Sequence, residues 1–171
     1  MGIIIEILIT MAFSAFFSGM EIAFVSSNKL RFEMDRNEQS ITSRILSIFY
    51  QNPNNFISTM LVGNNIALVI YGILMAELIE QQLLADYISN EFLLVLTQTI
   101  ISTLIILVTG EFIPKTLFKI NPNFTLSLFA IPSFICYIVL YPISKFASGI
   151  SGILLRLTGT KVNKEASAKA F

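Results

Sequence analysis

Residues 104–118 read "LIILVTGEFIPKTLF", an apolar run that is interrupted before its end by Gly110, Glu111, Pro114 and Lys115. Pro114 has no N–H to donate to the carbonyl oxygen of Gly110, so an α-helix here would leave that oxygen unbonded. Inside a membrane, a free carbonyl and an ionisable side chain are tolerated only where they line a cavity or meet a partner. The stretch therefore predicts a membrane-spanning helix that is broken at a functional site.

The composition is that of a membrane protein. Of the 171 residues, 54% are hydrophobic and 13% are charged, and the mean hydropathy is +0.75, whereas soluble domains carry about 25% charged residues. The net charge of zero gives no argument for a nucleic-acid partner. Histidine is absent and Cys136 is the single cysteine. A disulfide within the chain is therefore excluded, and any bound metal would be a hard cation held by oxygen ligands.

Three apolar segments are long enough to cross a bilayer, which takes about 20 residues. They cover about residues 3–27, 54–79 and 92–118. The first lacks a basic n-region and a small-residue cleavage site, so we expect it to be retained as a span. Residues 28–52 alternate charged and apolar side chains, which predicts two short amphipathic helices at the membrane surface. The predicted fold class is an all-α membrane protein with three transmembrane helices, cytoplasmic-side amphipathic helices and a juxtamembrane helical belt.

The basic residues predict the orientation. With three spans, residues 28–52 and everything after residue 114 lie on one side, and all 11 lysines and arginines fall in these segments. We call this side the basic end of the helix bundle. Because short loops rich in Lys and Arg stay in the cytoplasm, we expect a multi-pass protein of the plasma (inner) membrane. Its N-terminus would lie outside and its C-terminus in the cytoplasm.

Residues 121–158 are apolar enough for a fourth span, but Pro132 and Pro142 interrupt them, and Lys145 and Arg156 follow. A fourth span would also carry the last lysines outside, against the charge bias. We therefore expect a broken helix that lies along the inner membrane surface and against the bundle, with a fourth span as the alternative. The polar residues 159–171 are typical of the start of a linker to a further domain.

Polar insertions in the three spans fall at one depth. Ser18, Asn64 and Gly110 each lie about nine or ten residues from the basic end, or roughly 13–15 Å at 1.5 Å per residue. This is close to the middle of a bilayer core of about 30 Å. The groups near this level are oxygens, which Mg²⁺ prefers. They are the hydroxyls of Ser14 and Ser18, the amides of Asn64 and Asn65, the carboxylates of Glu111 and Glu21, and carbonyls near Gly63 and Gly110.

Packing alone offers an alternative explanation for each of these residues. Serine and glycine are ordinary contacts between membrane helices, and asparagine can bond one helix to another. Glu111 and Lys115 are spaced i, i+4 and can form an ion pair. Asn64 and Asn65 point about 100° apart on a helix, so both reach one site only at a local bulge.

Three motifs resemble the transmembrane domain of the CNNM/CorC family of magnesium transporters. They are "FFSGMEIAFVS" at 16–26, "GNN" at 63–65 and "GEFIPK" at 110–115. The family pattern reads approximately FFSGxExA, IGNN and GEIxPK, and this chain departs from it at Val62 and Phe112. The resemblance implies a domain over residues 1–158 that forms a homodimer of three-helix protomers in the lipid bilayer. It also implies an acidic, inward-facing cavity that holds a dehydrated magnesium ion.

The resemblance also implies roles for individual residues, matched on the motifs of this sequence. Gly19, Pro114 and Lys115 would be structural. Weaker candidates for the metal, or for a supporting role beside it, are Ser14, Gly63 and Glu21. Family members usually continue into cytoplasmic CBS domains that bind ATP, which this chain does not contain, so we expect ATP to act only through such domains. The implied magnesium ligands are Ser18, Asn64, Asn65, Gly110 and Glu111.

Two function classes follow from these observations. The first is a magnesium transporter that exports the ion in exchange for sodium, with Na⁺ as the candidate coupling ion. The alternative is a non-transporting membrane subunit or magnesium sensor that docks another membrane protein. An intramembrane hydrolase is poorly supported, because the spans contain no His or Asp to activate Ser18. We therefore expect no enzymatic activity.

Overall fold

The structure is a computed structural model that describes residues 2–35, 40–79 and 90–157. Regular structure within these ranges is helical, which confirms the all-α prediction. Residues 80–89, between the second and third predicted spans, and the predicted linker at 159–171 lie outside the described residues. The α-helices are α1 (Gly2–Ser26), α2 (Lys29–Asp35), α3 (Ile41–Gln51), α4 (Pro53–Ile79), α5 (Glu91–Ile106), α6 (Ile113–Ile120), α7 (Pro122–Leu128) and α8 (Ala130–Leu157), and a π-helix (Leu107–Phe112) joins α5 to α6.

Three segments are long and apolar enough to cross a membrane, as predicted. They are α1, α4 and a third span, Glu91–Ile120, that consists of α5, the π-helix and α6. Asn90 caps the third span, because its side-chain oxygen accepts hydrogen bonds from the N–H groups of Phe92 and Leu93. α1 packs along α4 on one side and against the π-helix and α6 on the other. The helix α1 is therefore the centre of the bundle.

The two predicted amphipathic helices form as α2 and α3, and aromatic rings attach them to the basic end. The ring centroids of Phe49 and Phe56 lie 4.2 Å apart, and those of Phe24 and Tyr50 lie 5.2 Å apart. Tyr137 of α8 joins this cluster at 5.7 Å from Phe49. Such ring pairs add about 0.5–1.5 kcal/mol each beyond the area they bury. The basic ends of α1 and α4 are therefore firmly fixed to each other.

A smaller apolar cluster holds the opposite end of the bundle. The phenol of Tyr71 donates a hydrogen bond of 3.0 Å to the carbonyl oxygen of Ser102, which ties α4 to α5. The buried members of the cluster are Ile7, Tyr71, Met75, Ile79 and Ile106.

The segment after the third span bends by 70° between α7 and α8. The predicted broken helix is present, with its break at Phe129 just before Pro132, whereas the predicted interruption at Pro142 is wrong, because α8 continues through it. Pro132 lies in the first turn of α8, where a helix needs no N–H donor, and Pro142 removes a single hydrogen bond. α8 packs against α3 and α4. Together, α7 and α8 are long and apolar enough for a broken span or a re-entrant segment. The placement of residues 121–158 along the inner surface therefore stays a prediction.

Candidate cation site

A hydrogen bond between Ser14 and Asn64 connects α1 to α4. The hydroxyl of Ser14 donates a hydrogen bond of 2.7 Å to the Oδ1 atom of Asn64. Ser14 is fully buried and Asn64 is 7% exposed. This bond orients the amide oxygen of Asn64 and leaves the lone pairs of the Ser14 oxygen available to a further partner. The sequence ranked Ser14 below Ser18 as a ligand, whereas the structure gives Ser14 the direct contact with the second span.

Ser18 lies one turn after Ser14 on the same face of α1. Its hydroxyl is buried and has no hydrogen-bond partner, a property it shares, among the described residues, with Ser133 of α8. A buried hydroxyl without a partner costs about 1–3 kcal/mol, so such groups are expected where a bound species completes the bonding. Ser18 is distinguished by its place one turn from the Ser14–Asn64 pair on the same helix.

The third span approaches this group at Gly110, where the helix changes its hydrogen-bonding pattern. The N–H of Ile113 donates to the carbonyl oxygen of Val108, five residues earlier, as in a π-helix. Pro114 follows in the first turn of α6 and has no N–H for the carbonyl of Gly110. The predicted break is therefore present. It is a widened turn within a continuous helix, which reorients the backbone carbonyls of residues 107–112.

Gly110 lies in close contact with two side chains. A methyl group at this position would lie 2.6 Å from Cδ1 of Ile106 and 3.2 Å from Oγ of Ser14, so either side chain would have to shift. The backbone of the third span is therefore close to the hydroxyl of Ser14. Together, the structure places Ser14, Ser18, Asn64 and Gly110 in one buried group between the three spans.

Two further glycines of the motifs permit close packing of the spans. A methyl group at Gly63 would lie 2.6 Å from the ring of Phe17, and one at Gly19 would lie 2.7 Å from the ring of Phe118. Gly63 thus allows α1 and α4 to approach, and Gly19 allows α6 to approach α1. The structural role that the resemblance implied for Gly19 has this contact as its physical basis.

Charged side chains lie on the side of the group nearer the basic end. Nζ of Lys115 is 3.6 Å from Oε2 of Glu111, so the i, i+4 ion pair considered for these residues is formed. Glu111 is 31% exposed. The carboxylate of Glu21, half-buried on α1, interacts electrostatically with both residues. Glu111, the residue after Gly110, is therefore one member of a charged trio with Lys115 and Glu21.

Asn65 is not part of the buried group. α4 is a continuous α-helix from Pro53 to Ile79, without the local bulge that would turn both asparagines inward. Asn64 is buried and its neighbour Asn65 is exposed. The bulge occurs in the third span instead. The assignment of Asn65 as a ligand stays a prediction, since its side chain lies outside the buried group in this protomer.

The chemistry of the buried group is that of neutral oxygen donors. Among the described residues, no group of three or more His, Cys, Asp or Glu side chains could hold a metal ion. Hydroxyl, amide and carbonyl oxygens, such as those of the buried group, favour a hard cation. The ion pair beside them supplies fixed charge.

Comparison with known proteins agrees with the three motifs. The family model of the cyclin M (CNNM) transmembrane N-terminal domain matches residues 4–170. The chain belongs to the CNNM family. CNNM domains are transporter-type membrane domains associated with divalent-cation transport and magnesium homeostasis, and they are not a known enzyme family. The protein is accordingly a multi-pass membrane protein.

Two relatives of the CNNM chain are similar over most of its length. It is 29% identical over 150 residues to the UPF0053 protein MG146 homolog of Mycoplasma pneumoniae. It is 27% identical over 150 residues to the UPF0053 protein MG146 of Mycoplasma genitalium. Each alignment covers 85% of this chain and 34% of the relative. The chain therefore spans about a third of the length of these curated relatives.

Proposed function

We propose that this CNNM chain is the ion-translocating membrane domain of a divalent-cation transporter, with Mg²⁺ as the transported ion. The observation that carries the proposal is the buried group of Ser14, Ser18, Asn64 and Gly110, to which all three spans contribute. Within it, the hydroxyl of Ser18 is buried without a partner. A hard cation would supply the missing interaction, because it binds several oxygens at once.

The charge near the group suits transport better than permanent binding. The neutral oxygens would replace water molecules of the ion, and Glu111 would supply negative charge that Lys115 partly cancels. A transport site must release its ion, and a site that compensates only part of the ion's charge holds the ion less tightly. We propose Glu111 as the main anionic contributor and Glu21 as a supporting one.

The direction and coupling of transport follow as working hypotheses. With the N-terminus outside, the charged trio would lie between the buried group and the cytoplasm, at the mouth of an inward-facing cavity. Export of Mg²⁺ coupled to Na⁺ influx is consistent with this arrangement, and we propose it for a homodimer in the plasma membrane. Regulation by nucleotide is not assigned to the residues of this chain.

Magnesium binding to the detergent-purified protein is the experiment that tests the site. Isothermal titration calorimetry should show binding by the wild type and loss of at least about tenfold in affinity, or about 1.4 kcal/mol, in Glu111→Gln. Glu6→Gln is the matched control, since Glu6 is exposed near the far end of α1 and should bind like wild type. Equal binding by Glu111→Gln and wild type would refute the role of Glu111, and absence of binding by the wild type would refute the site.

The second candidate is a non-transporting subunit or sensor that docks another membrane protein. The exposure of the third span favours this second candidate. In an 18-residue apolar stretch of that span only 6% of the residues are buried, against 39% in α1 and 33% in α4. An apolar face of this extent can contact lipid, a second copy or a different partner. Magnesium flux in liposomes that contain the purified protein alone separates the two candidates. Flux that Asn64→Ala abolishes supports the transporter, and binding without flux supports the sensor.

A further inference from the structure

Lys115 is the cationic member of the charged trio that it forms with Glu111 and Glu21. It lies in the first turn of α6, immediately after the π-helix and Pro114. Its ammonium is 3.6 Å from the carboxylate of Glu111, and it also acts on Glu21 from the neighbouring helix α1. The cluster therefore brings two carboxyl groups and one ammonium together before any ion arrives.

The contact between Lys115 and Glu111 can be exchanged. At 3.6 Å it is longer than the 2.7–2.9 Å of a charge-assisted hydrogen bond, and both side chains are about a third exposed, at 39% for Lys115 and 31% for Glu111. Ion pairs of this kind are weak. The ammonium also sits at the end of a flexible four-carbon chain, so Lys115 can move away from Glu111 without a change in the helix.

We propose that the ammonium of Lys115 is a tethered competitor of the transported cation. It neutralises Glu111 while the site holds no ion, and it withdraws toward the basic end of the bundle when a divalent cation binds. This inference rests on the proposed function, because it assigns a role in ion release to a residue beside the proposed site. Lys115 is a positioning residue, since it acts on the ion through Glu111.

The competition has a defined consequence for affinity and rate. Binding of the ion includes the separation of Lys115 from Glu111, so the observed affinity is lower than that of the oxygens alone. Return of the ammonium to Glu111 favours release by the same factor. A neutral residue at position 115 should therefore tighten binding and slow release, whereas a residue with no part in transport would change neither.

The test combines binding and flux for charge variants at position 115. Lys115→Gln should bind Mg²⁺ at least about tenfold more tightly, within the range of about 5–150-fold that is typical of coupled sites. In liposome flux it should lower both KM and the maximal rate. Lys115→Arg keeps the charge and should stay within about threefold of wild type. Lys119→Gln, which removes an exposed charge one turn further along α6, should leave both quantities unchanged.

Wild-type protein provides a second measurement that does not depend on the folding of a variant. Acylation of lysines by an amine-reactive reagent, read by mass spectrometry, should increase several-fold at Lys115 on addition of Mg²⁺ and stay constant at Lys119. Labelling of Lys115 that does not change with Mg²⁺ would overturn the inference, as would unchanged or weaker binding by Lys115→Gln.

The outcome for Asn64→Ala separates this inference from the proposed function. If Asn64→Ala abolishes magnesium binding while Lys115→Gln leaves it unchanged, the site stands and only the competitor role of Lys115 fails. If wild type does not bind Mg²⁺, the proposed function and the inference both fail.

Discussion

The pair of α1 and α4 and the third span contribute to one site but are built differently. α1 and α4 are uninterrupted α-helices of 25 and 27 residues. In an 18-residue apolar stretch of each, 39% and 33% of the residues are buried. The third span contains a π-helix, and 6% of the residues in its apolar stretch are buried. The packed pair therefore holds Ser14, Ser18 and Asn64 in place, whereas the third span adds Gly110 and Glu111 from an element that packs on α1 along its π-helix and α6 and is otherwise exposed. Two regular helices thus meet a span whose hydrogen-bonding pattern changes at the site, and such π-helical turns are frequent at functional sites.

The adjacent asparagines give the largest expected effect on the packed pair. Asn64→Ala removes the acceptor of the Ser14 hydrogen bond and an oxygen of the buried group, so we expect magnesium affinity to fall by at least about 100-fold, or about 2.7 kcal/mol. Asn65→Ala changes an exposed side chain of the same helix and should alter affinity by less than about threefold. Calorimetry on both variants checks this. A large loss in Asn65→Ala would show that a second protomer or another conformation brings Asn65 to the ion.

Gly63 tests the close contact between α1 and α4. A methyl group at this position would lie 2.6 Å from the ring of Phe17, and overpacking of this kind costs about 1–3 kcal/mol. We expect Gly63→Ala to lower the thermal unfolding midpoint by about 2–12 °C, at about 2–4 °C per kcal/mol. Gly72→Ala on the same helix has no atom within 4 Å of the new methyl group and should be neutral or slightly stabilising. Equal midpoints for the two variants would contradict the close contact.

Pro114 tests the π-helix of the third span. Pro114→Ala restores an N–H that can bond to the carbonyl of Gly110 and so favours a regular α-helix over the π-helix. We expect magnesium affinity to fall by about tenfold while the unfolding midpoint is unchanged or raised. Binding calorimetry and thermal unfolding of the same preparation check the two parts. A loss of stability without a change in affinity would mean that Pro114 serves packing alone.

Tyr50 gives the smallest effect, at the basic end of the packed pair. Its hydroxyl donates a hydrogen bond of 2.7 Å to Oγ of Ser27, and Tyr50→Phe should cost about 1 kcal/mol, or about 2–4 °C, without altering magnesium binding. Burial raises the pKa of Tyr50, so the folded protein holds this proton more tightly than the unfolded chain. Stability from Tyr50 is therefore complete below about pH 10 and decreases above it. The advantage of wild type over Tyr50→Phe should shrink in unfolding experiments above that pH.

The sequence predicted the spans well because their signals are local. Each apolar run is long enough to cross a bilayer whatever its neighbours are, and the alternation of charged and apolar residues at 28–52 predicted α2 and α3. The break in the third span was also foreseen, since Gly110 and Pro114 weaken an α-helix by themselves. The two prolines near α8 differed in value: the bend at Phe129 lies just before Pro132, which has no N–H for the carbonyl of Leu128, whereas α8 continues through Pro142.

Composition and the length of the apolar runs by themselves determined that the chain is an all-α membrane protein, because hydrophobicity over about 20 residues does not depend on tertiary contacts. The order of the three motifs indicated the CNNM family. Only the tertiary structure decided which polar groups meet. The rotation of α4 against α1 buries Asn64 and exposes Asn65, and the close approach at Gly110 brings the third span to Ser14. Adjacent residues on a helix point about 100° apart, so packing between helices selects one of two identical side chains for the site.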